Sequence, residues 1–237
     1  MISDPFAPIS IRPARVDARP VDRNDDDTAE RTARALPAFY DGGPIADSPA
    51  SRHLERRGVA SHDVHGDVLR WNASCPFGSG ERRGCLVALV RNIISDEPQA
   101  VHRTVIDHAG KKLSHLGSNG RLALGPVRGG AIKLTDDADV STVIGIGEGI
   151  ETTLSIRRLP GLSEMPVWSV LNAKGIASFP VLPGIECVWI AVDNDASGTG
   201  QTAAHSAAER LNAAGVEVIL VTPTEVGADL NDEVTHA

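Results

Sequence analysis

Towards its C-terminus the chain alternates short apolar runs with helix-length segments. Val143–Gly147, Val167–Leu171, Cys187–Val192 and Glu217–Thr222 have the length of buried strands. Between them, Ile150–Leu159 and Gly200–Ala214 read as helices, the second rich in small alanines that allow close packing on a sheet. This alternation predicts right-handed crossovers and a mostly parallel sheet flanked by helices. Upstream the rhythm differs. Val68–Trp71, Leu86–Ile94, Gln99–Ile106 and Ala131–Leu134 read as strands separated by Gly, Pro, Asn and Asp turns, with Asp107-His108-Ala109-Gly110 as a hairpin turn. A helix is expected from Asp25–Asp27 and Thr28 through about Tyr40, stopped by Asp41-Gly42-Gly43-Pro44. Ser48–Arg57 reads as a second short helix, poor in apolar residues and so expected on a surface. The pattern predicts an α/β chain in three parts. Residues 1–27, rich in Pro, Asp and Arg, form a loose arm. Residues 28–140 form a helical start and a small α+β domain. Residues 141–237 form the parallel domain, after a boundary at Asp136-Asp137-Ala138-Asp139.

Composition adds three constraints. A hydrophobic content of 41% supports a core, and an aromatic content of 3% means that Ala, Val, Leu and Ile must build it. Cys75, Cys85 and Cys187 show no C-x-x-C spacing, which favours reduced thiols in a cytoplasmic protein over a disulfide framework or a zinc site. No apolar run has the length of a membrane span, and the first residues lack the apolar centre of a signal peptide. The net charge of −8 hides an asymmetry: −3 over residues 1–47, +6 over 48–135 and −11 over 136–237. The basic middle could meet a polyanion and the acidic end could hold a metal.

The acids of the last part are ordered. Glu148 ends the first apolar run and is followed by Gly149, which leaves room for a close approach; Asp193 and Asp195 end another run; Asp229 and Asp232 follow the last after a loop. Singly, each acid has an ordinary use: Glu148 as a helix cap, Asp193-Asn194-Asp195 as a turn, Asp229 as the cap of a terminal helix. Jointly, carboxylates at the carboxyl ends of neighbouring strands form a site that suits Mg²⁺ held against phosphate. The eight histidines show no ligand spacing.

Three segments resemble the motifs of the Toprim domain, which is shared by bacterial primases, type IA and type II topoisomerases, OLD-type nucleases and RecR-type repair proteins. They are Ile146-Gly147-Glu148-Gly149-Ile150-Glu151-Thr152-Thr153, Ala191-Val192-Asp193-Asn194-Asp195-Ala196-Ser197-Gly198 and Ala228-Asp229-Leu230-Asn231-Asp232. His102-Arg103-Thr104, Asp107, Gly110-Lys111 and Gly129-Gly130-Ala131-Ile132-Lys133-Leu134 also resemble the primase-like Toprim proteins of plasmids, phages and integrated elements. The resemblance implies Glu148 as the catalytic acid or base, or a metal ligand. It implies Asp193, Asp195 and Asp229 as ligands of Mg²⁺, with Mn²⁺ as a substitute. Glu151, Asn231 and Asp232 are candidates to support these ligands. Arg103, Lys111, Lys112, Arg121, Arg128 and Lys133 of the basic middle are the candidates for nucleic-acid backbone contacts, Arg103 and Lys133 favoured because they lie inside the family-like motifs, with Lys174 after the second strand as a further candidate.

The implied activity is primase-like nucleotidyl transfer on single-stranded DNA, in mobile-element DNA replication. The alternatives are a Toprim nuclease and a non-catalytic DNA-binding or assembly subunit. A topoisomerase is disfavoured because the only tyrosine is Tyr40, in the N-terminal helix. The sequence shows no zinc-ligand set, and no helicase segment follows Asp232. The expectation is therefore a minimal form, a subunit that takes a zinc-binding partner or a helicase in trans, or a degenerate copy, with single-stranded DNA or an RNA/DNA strand as substrate and no membrane partner.

Overall fold

The computed structural model describes residues 23–59, 64 and 66–236. The expected arm therefore lies largely outside the described residues. Helix α1 spans Arg23–Ala35 and α2 Pro37–Tyr40. One expected helix thus becomes two, broken where Pro37 removes a backbone donor. Helix α3 spans Pro49–Arg56, with Ser48 as N-cap accepting from the Ala50 N–H. Ala50, Ser51, His53 and Leu54 of α3 are buried, so this helix is wedged into the molecule rather than laid on its surface.

The strands are β1 Leu69–Pro76, β2 Arg82–Asn92, β3 Pro98–Val105, β4 Arg121–Leu124, β5 Gly130–Lys133, β6 Val143–Gly147, β7 Val167–Ser169, β8 Cys187–Ala191 and β9 Glu217–Val221. They form one sheet in the order β4-β3-β2-β5-β7-β6-β8-β9, with β1 paired to β2. The first five strands pair antiparallel, and β7, β6, β8 and β9 pair parallel. The two halves meet where β5 runs antiparallel to β7, through Ile132↔Ser169 and Lys133↔Trp168. The expected domains are thus continuous through their sheet.

The period of two along each strand sorts the core. In β2, Leu86, Ala88 and Val90 face a core shared by both halves, while Val87 and Leu89 face a separate cluster with Phe39 and Phe77. In β6, Ile144 and Ile146 face the cluster covered by helices α5 (Ala173–Ala177) and α6 (Thr199–Ala213). The opposite face of β6 is glycine. A β-carbon on Gly147 would lie 2.7 Å from the Thr153 hydroxyl, so helix α4 (Ile150–Ser155) can seat this close only because no side chain intervenes. Helix α6 buries Ala203, Ala204, Ala207 and Leu211, one stripe at helical spacing. Among the described residues, no helix is long and apolar enough to cross a membrane.

Chain direction then defines an edge. From β6 the chain passes through α4 to β7 on one side; from β8 it passes through α6 to β9 on the other. The carboxyl ends of β6 and β8 therefore flank a topological switch point, where open α/β sheets place their crevices.

Candidate metal and nucleic-acid site

Glu148 follows β6 and Asp193 follows β8, and these strands are paired in register at Ile146↔Ile190. Glu148, Asp193 and Asp229 line one cavity of about 100 Å³, together with His102, Thr104, Arg121 and Glu151. Glu148 does not cap α4; Gly149 holds that position, without a side-chain bond. Burial, and then the charges of Asp193 and Asp195, push the Glu148 carboxyl up to about 7, against a hydrogen bond from the Ala173 N–H. Burial and the nearby Asp229 push Asp193 up to about 6, while Arg121 opposes the shift. The Asp193 Oδ1 is buried without a hydrogen-bond partner. Asp195 is half-buried, and its Oδ1 accepts from the Ser197 N–H at 2.7 Å. The Ser197 side chain first, against a small effect of burial, and then the N–H groups of Ser197, Gly200 and Gly198 lower its pKa.

Gly200 keeps these acids close. A β-carbon there would stand 3.2 Å from Glu148 Oε1, 3.4 Å from the Asp193 carbonyl and 3.7 Å from Asp195 Oδ2. Asn194 brings in the third segment. Its N–H donates to the Ala228 carbonyl (3.1 Å), its carbonyl accepts from Gly227 (2.7 Å), and its Nδ2 donates to the carbonyls of Pro223 (3.0 Å) and Glu225 (3.2 Å). The loop carrying Asp193 is thereby stitched to the loop carrying Asp229. Leu171, which also lines the cavity, has φ of 75°, a left-handed conformation rare for a branched side chain.

Asp229 is engaged on both oxygens. Its Oδ1 accepts from the Asp232 N–H at 2.9 Å, so it caps helix α7 (Leu230–His236), and its Oδ2 meets Arg57 Nη2 at 2.8 Å. Asp232 returns the cap by accepting from the Asp229 N–H and pairs with Arg57 Nη1 at 3.3 Å. Asn231 is buried and donates to the Arg57 carbonyl and the Ser155 hydroxyl, tying α7 to α3 and α4. Among the described residues, no three His, Cys, Asp or Glu side chains are gathered closely enough to ligate one ion as they stand. The expected ligand set of Asp193, Asp195 and Asp229 is therefore not assembled, because Asp229 is turned to its cap and to Arg57. The acids at β6 and β8 do fit a cation: a buried oxygen without a partner, carboxyls that repel one another, and a glycine that leaves space between them.

Glu151, in the first turn of α4, is buried between cations. Its Oε1 lies 3.1 Å from His53 Nε2 and its Oε2 lies 3.4 Å from Arg121 Nη2. Burial alone would raise its pKa; the hydrogen bond from His53 and the Arg121 charge outweigh this and hold it well below the usual range. His53 Nδ1 faces the Gly110 carbonyl at 2.9 Å, so both ring nitrogens face oxygen.

The expected backbone-binding cations divide in two. Arg103 is 5% exposed and donates to the carbonyls of Leu122, Pro76 and Ala123. Lys133 is 5% exposed and pairs with Asp96 at 2.9 Å and Asp137 at 2.6 Å. Both point away from the cavity, because strand neighbours alternate faces: His102 and Thr104 of β3, and Ile132 of β5, line it instead. Arg103 and Lys133 are thus turned inward as structural cations. Arg128 and Lys174 are exposed and share a hollow of about 310 Å³ on the far side of the β7 end. Sequence reading passed over His53, Arg57, His102 and Asn194, and considered Arg121 without favouring it. His53 and Arg57 sit in a helix expected on the surface, and nothing local signals their long-range partners.

The family model of the Toprim domain matches residues 143–237, and that of a domain of unknown function, DUF7146, matches residues 29–134. No significant match is found among curated proteins. Among solved structures, the chain is similar to a DNA primase domain from Pseudomonas aeruginosa, with 14% identity and a TM-score of 0.41, over 71% of this chain and 52% of that one. It is also similar to the primase fragment of the bacteriophage T7 primase-helicase protein, with 16% identity and a TM-score of 0.46, over 65% of this chain and 59% of that one. The chain thus spans little more than half of either. With its acids set at the carboxyl edge of parallel strands, the C-terminal segment of this chain, residues 143–237, is a Toprim domain.

Proposed function

We propose that the chain performs metal-dependent phosphoryl transfer on nucleic acid, in the primase-like, nucleotidyl-transferring form. The observation that supports this reading is the cavity at the switch point, where the carboxyls of Glu148 and Asp193 are gathered and a buried Asp193 oxygen has no hydrogen-bond partner. A bound Mg²⁺, or Mn²⁺ in its place, would neutralise the charge that develops on a transferring phosphoryl group. Asp193, through its unpartnered Oδ1, and Asp195 are the ligands assigned to it. Glu148 either joins them or moves a proton at its carboxyl, which titrates near neutrality. Arg121, between Glu151 and Asp193, directs guanidinium donors into the same space. Arg128 and Lys174 hold a strand by its phosphates without reading its bases. Single-stranded DNA or an RNA/DNA strand is the partner that fits this reading.

The test is an assay in two halves with Mg²⁺ or Mn²⁺. Purified protein is incubated with single-stranded template and ribonucleotides and, separately, with end-labelled DNA. New oligomers that vanish in Asp193→Asn are expected. Cleaved DNA without oligomers would replace this reading by a nuclease, and DNA binding without either product by a non-catalytic role.

A further inference from the structure

The acids that crowd the cavity differ in how they are satisfied. Asp193 has a buried oxygen with no partner. Asp229 and Asp232 have none to spare: each gives one oxygen to the reciprocal cap of α7 and the other to Arg57. Arg57 comes from the residue after α3, in the other half of the chain, and its backbone is pinned by Asn231 Nδ2 on its carbonyl at 2.7 Å. Its Nε is buried and has no acceptor. The two carboxylates, rather than a full set of hydrogen bonds, hold the guanidinium in place.

We infer that Arg57 is a built-in cation of this site, taking the Asp229–Asp232 corner that a second divalent ion would otherwise occupy. The pocket then accepts one ion, at Asp193 and Asp195 beside Glu148, and Asp229 is not a ligand. The inference rests on the metal-dependent reading above and adds to it the number of ions and the origin of the second positive charge. A guanidinium suits this place because its planar fork spans two carboxylates at once. The N-terminal half thereby contributes charge to a site whose acids all belong to the C-terminal half.

The experiment counts Mn²⁺ bound to the full chain by electron paramagnetic resonance, without any activity readout. One tightly bound ion is expected in the natural protein. Asp229→Asn, which keeps the helix cap, should retain that ion with affinity changed by less than about threefold, while Asp193→Asn should weaken it by more than about tenfold. Arg57→Ala should gain a second ion, and Arg57→Lys should stay at one. The Asn231 bond reaches the backbone carbonyl of Arg57 and so survives both substitutions; if Arg57→Ala fails to fold, the Asp229→Asn and Asp193→Asn arms still decide. Two ions in the natural protein, loss of the ion in Asp229→Asn, or a folded Arg57→Ala that still holds one would overturn the inference and leave the metal reading standing. No tight Mn²⁺ at all would overturn both.

Discussion

Asp193 and His102 carry opposite imbalances in the same cavity, and each gives a pH signature. Asp193 has a folded-state pKa of about 6, raised above its ordinary value. Its favourable contribution is present below the ordinary carboxylate pKa and is lost as pH rises through 6. In metal-free protein, Asp193→Asn should therefore raise the melting temperature at pH 8 by a few degrees, by about 3 °C, yet leave it unchanged at pH 4. The same variant should lose metal-dependent activity by roughly 100-fold or more, because an amide is a poor ligand for a hard cation. His102 is pushed down to about 4 by burial and then by the Arg121 charge, and its Nδ1 is buried without a partner. It folds neutral, so its contribution is present above 6.5 and lost as pH falls toward 4. Thermal melts across that window should show His102→Gln losing less stability than the natural protein, by about 3 °C; parallel curves would remove the histidine from the acid response.

At the level of elements, the site depends on which face of a strand a residue occupies and on which loops are joined. The acids after β6 and β8 were legible because they sit next in sequence to apolar runs that define strands by themselves. The parallel order and the alanine face of α6 were legible for the same reason. Arg103 and Lys133 were misread because their facing is fixed by pairing with distant strands: a shift of one residue, from Arg103 to His102 or from Lys133 to Ile132, exchanges interior for cavity. Strand β4 was missed because its residues, Arg121–Leu124, make a short and mixed run. The paired role of Asp229 as cap and ion partner was half legible: the cap follows from the acid three residues before Asp232, but Arg57 lies 172 residues away. Asn194 shows what such long-range bonds do. Replacing it by Ala removes two side-chain bonds to the Pro223–Glu225 loop, and should cost about 1–2 kcal/mol of stability. Activity should fall further than stability explains; a denaturant melt together with the oligomer assay separates the two.

For the molecule as a whole, the sheet that runs through both family-model segments predicts joint behaviour. Ile150, Val167 and Leu230 share one cluster with Leu54, Leu86, Val90 and Ile132, so neither half keeps an intact core without the other. Urea unfolding should give one transition, with coincident midpoints from Trp71 in the first half and from Trp168 and Trp189 in the second. Two separated midpoints would show independent domains. A second expectation concerns the outer hollow. Removing both Arg128 and Lys174 should weaken single-strand binding and reduce the slope of log affinity against log salt by about 2; an unaltered slope would place the strand elsewhere.

The seam between β5 and β7 also sets unlike charges against each other. Arg121, Lys112 and Arg57 gather on the bank built from β4, its preceding turn and α3; Glu148, Asp193 and Asp195 form the bank beyond β6 and β8. Under the proposed function, a polyanion entering this trench would be drawn to one wall and repelled by the other until a divalent ion lay between them. On that reading the trench is a polarised slot, whose layout of charge would set the order of arrival, ion before strand.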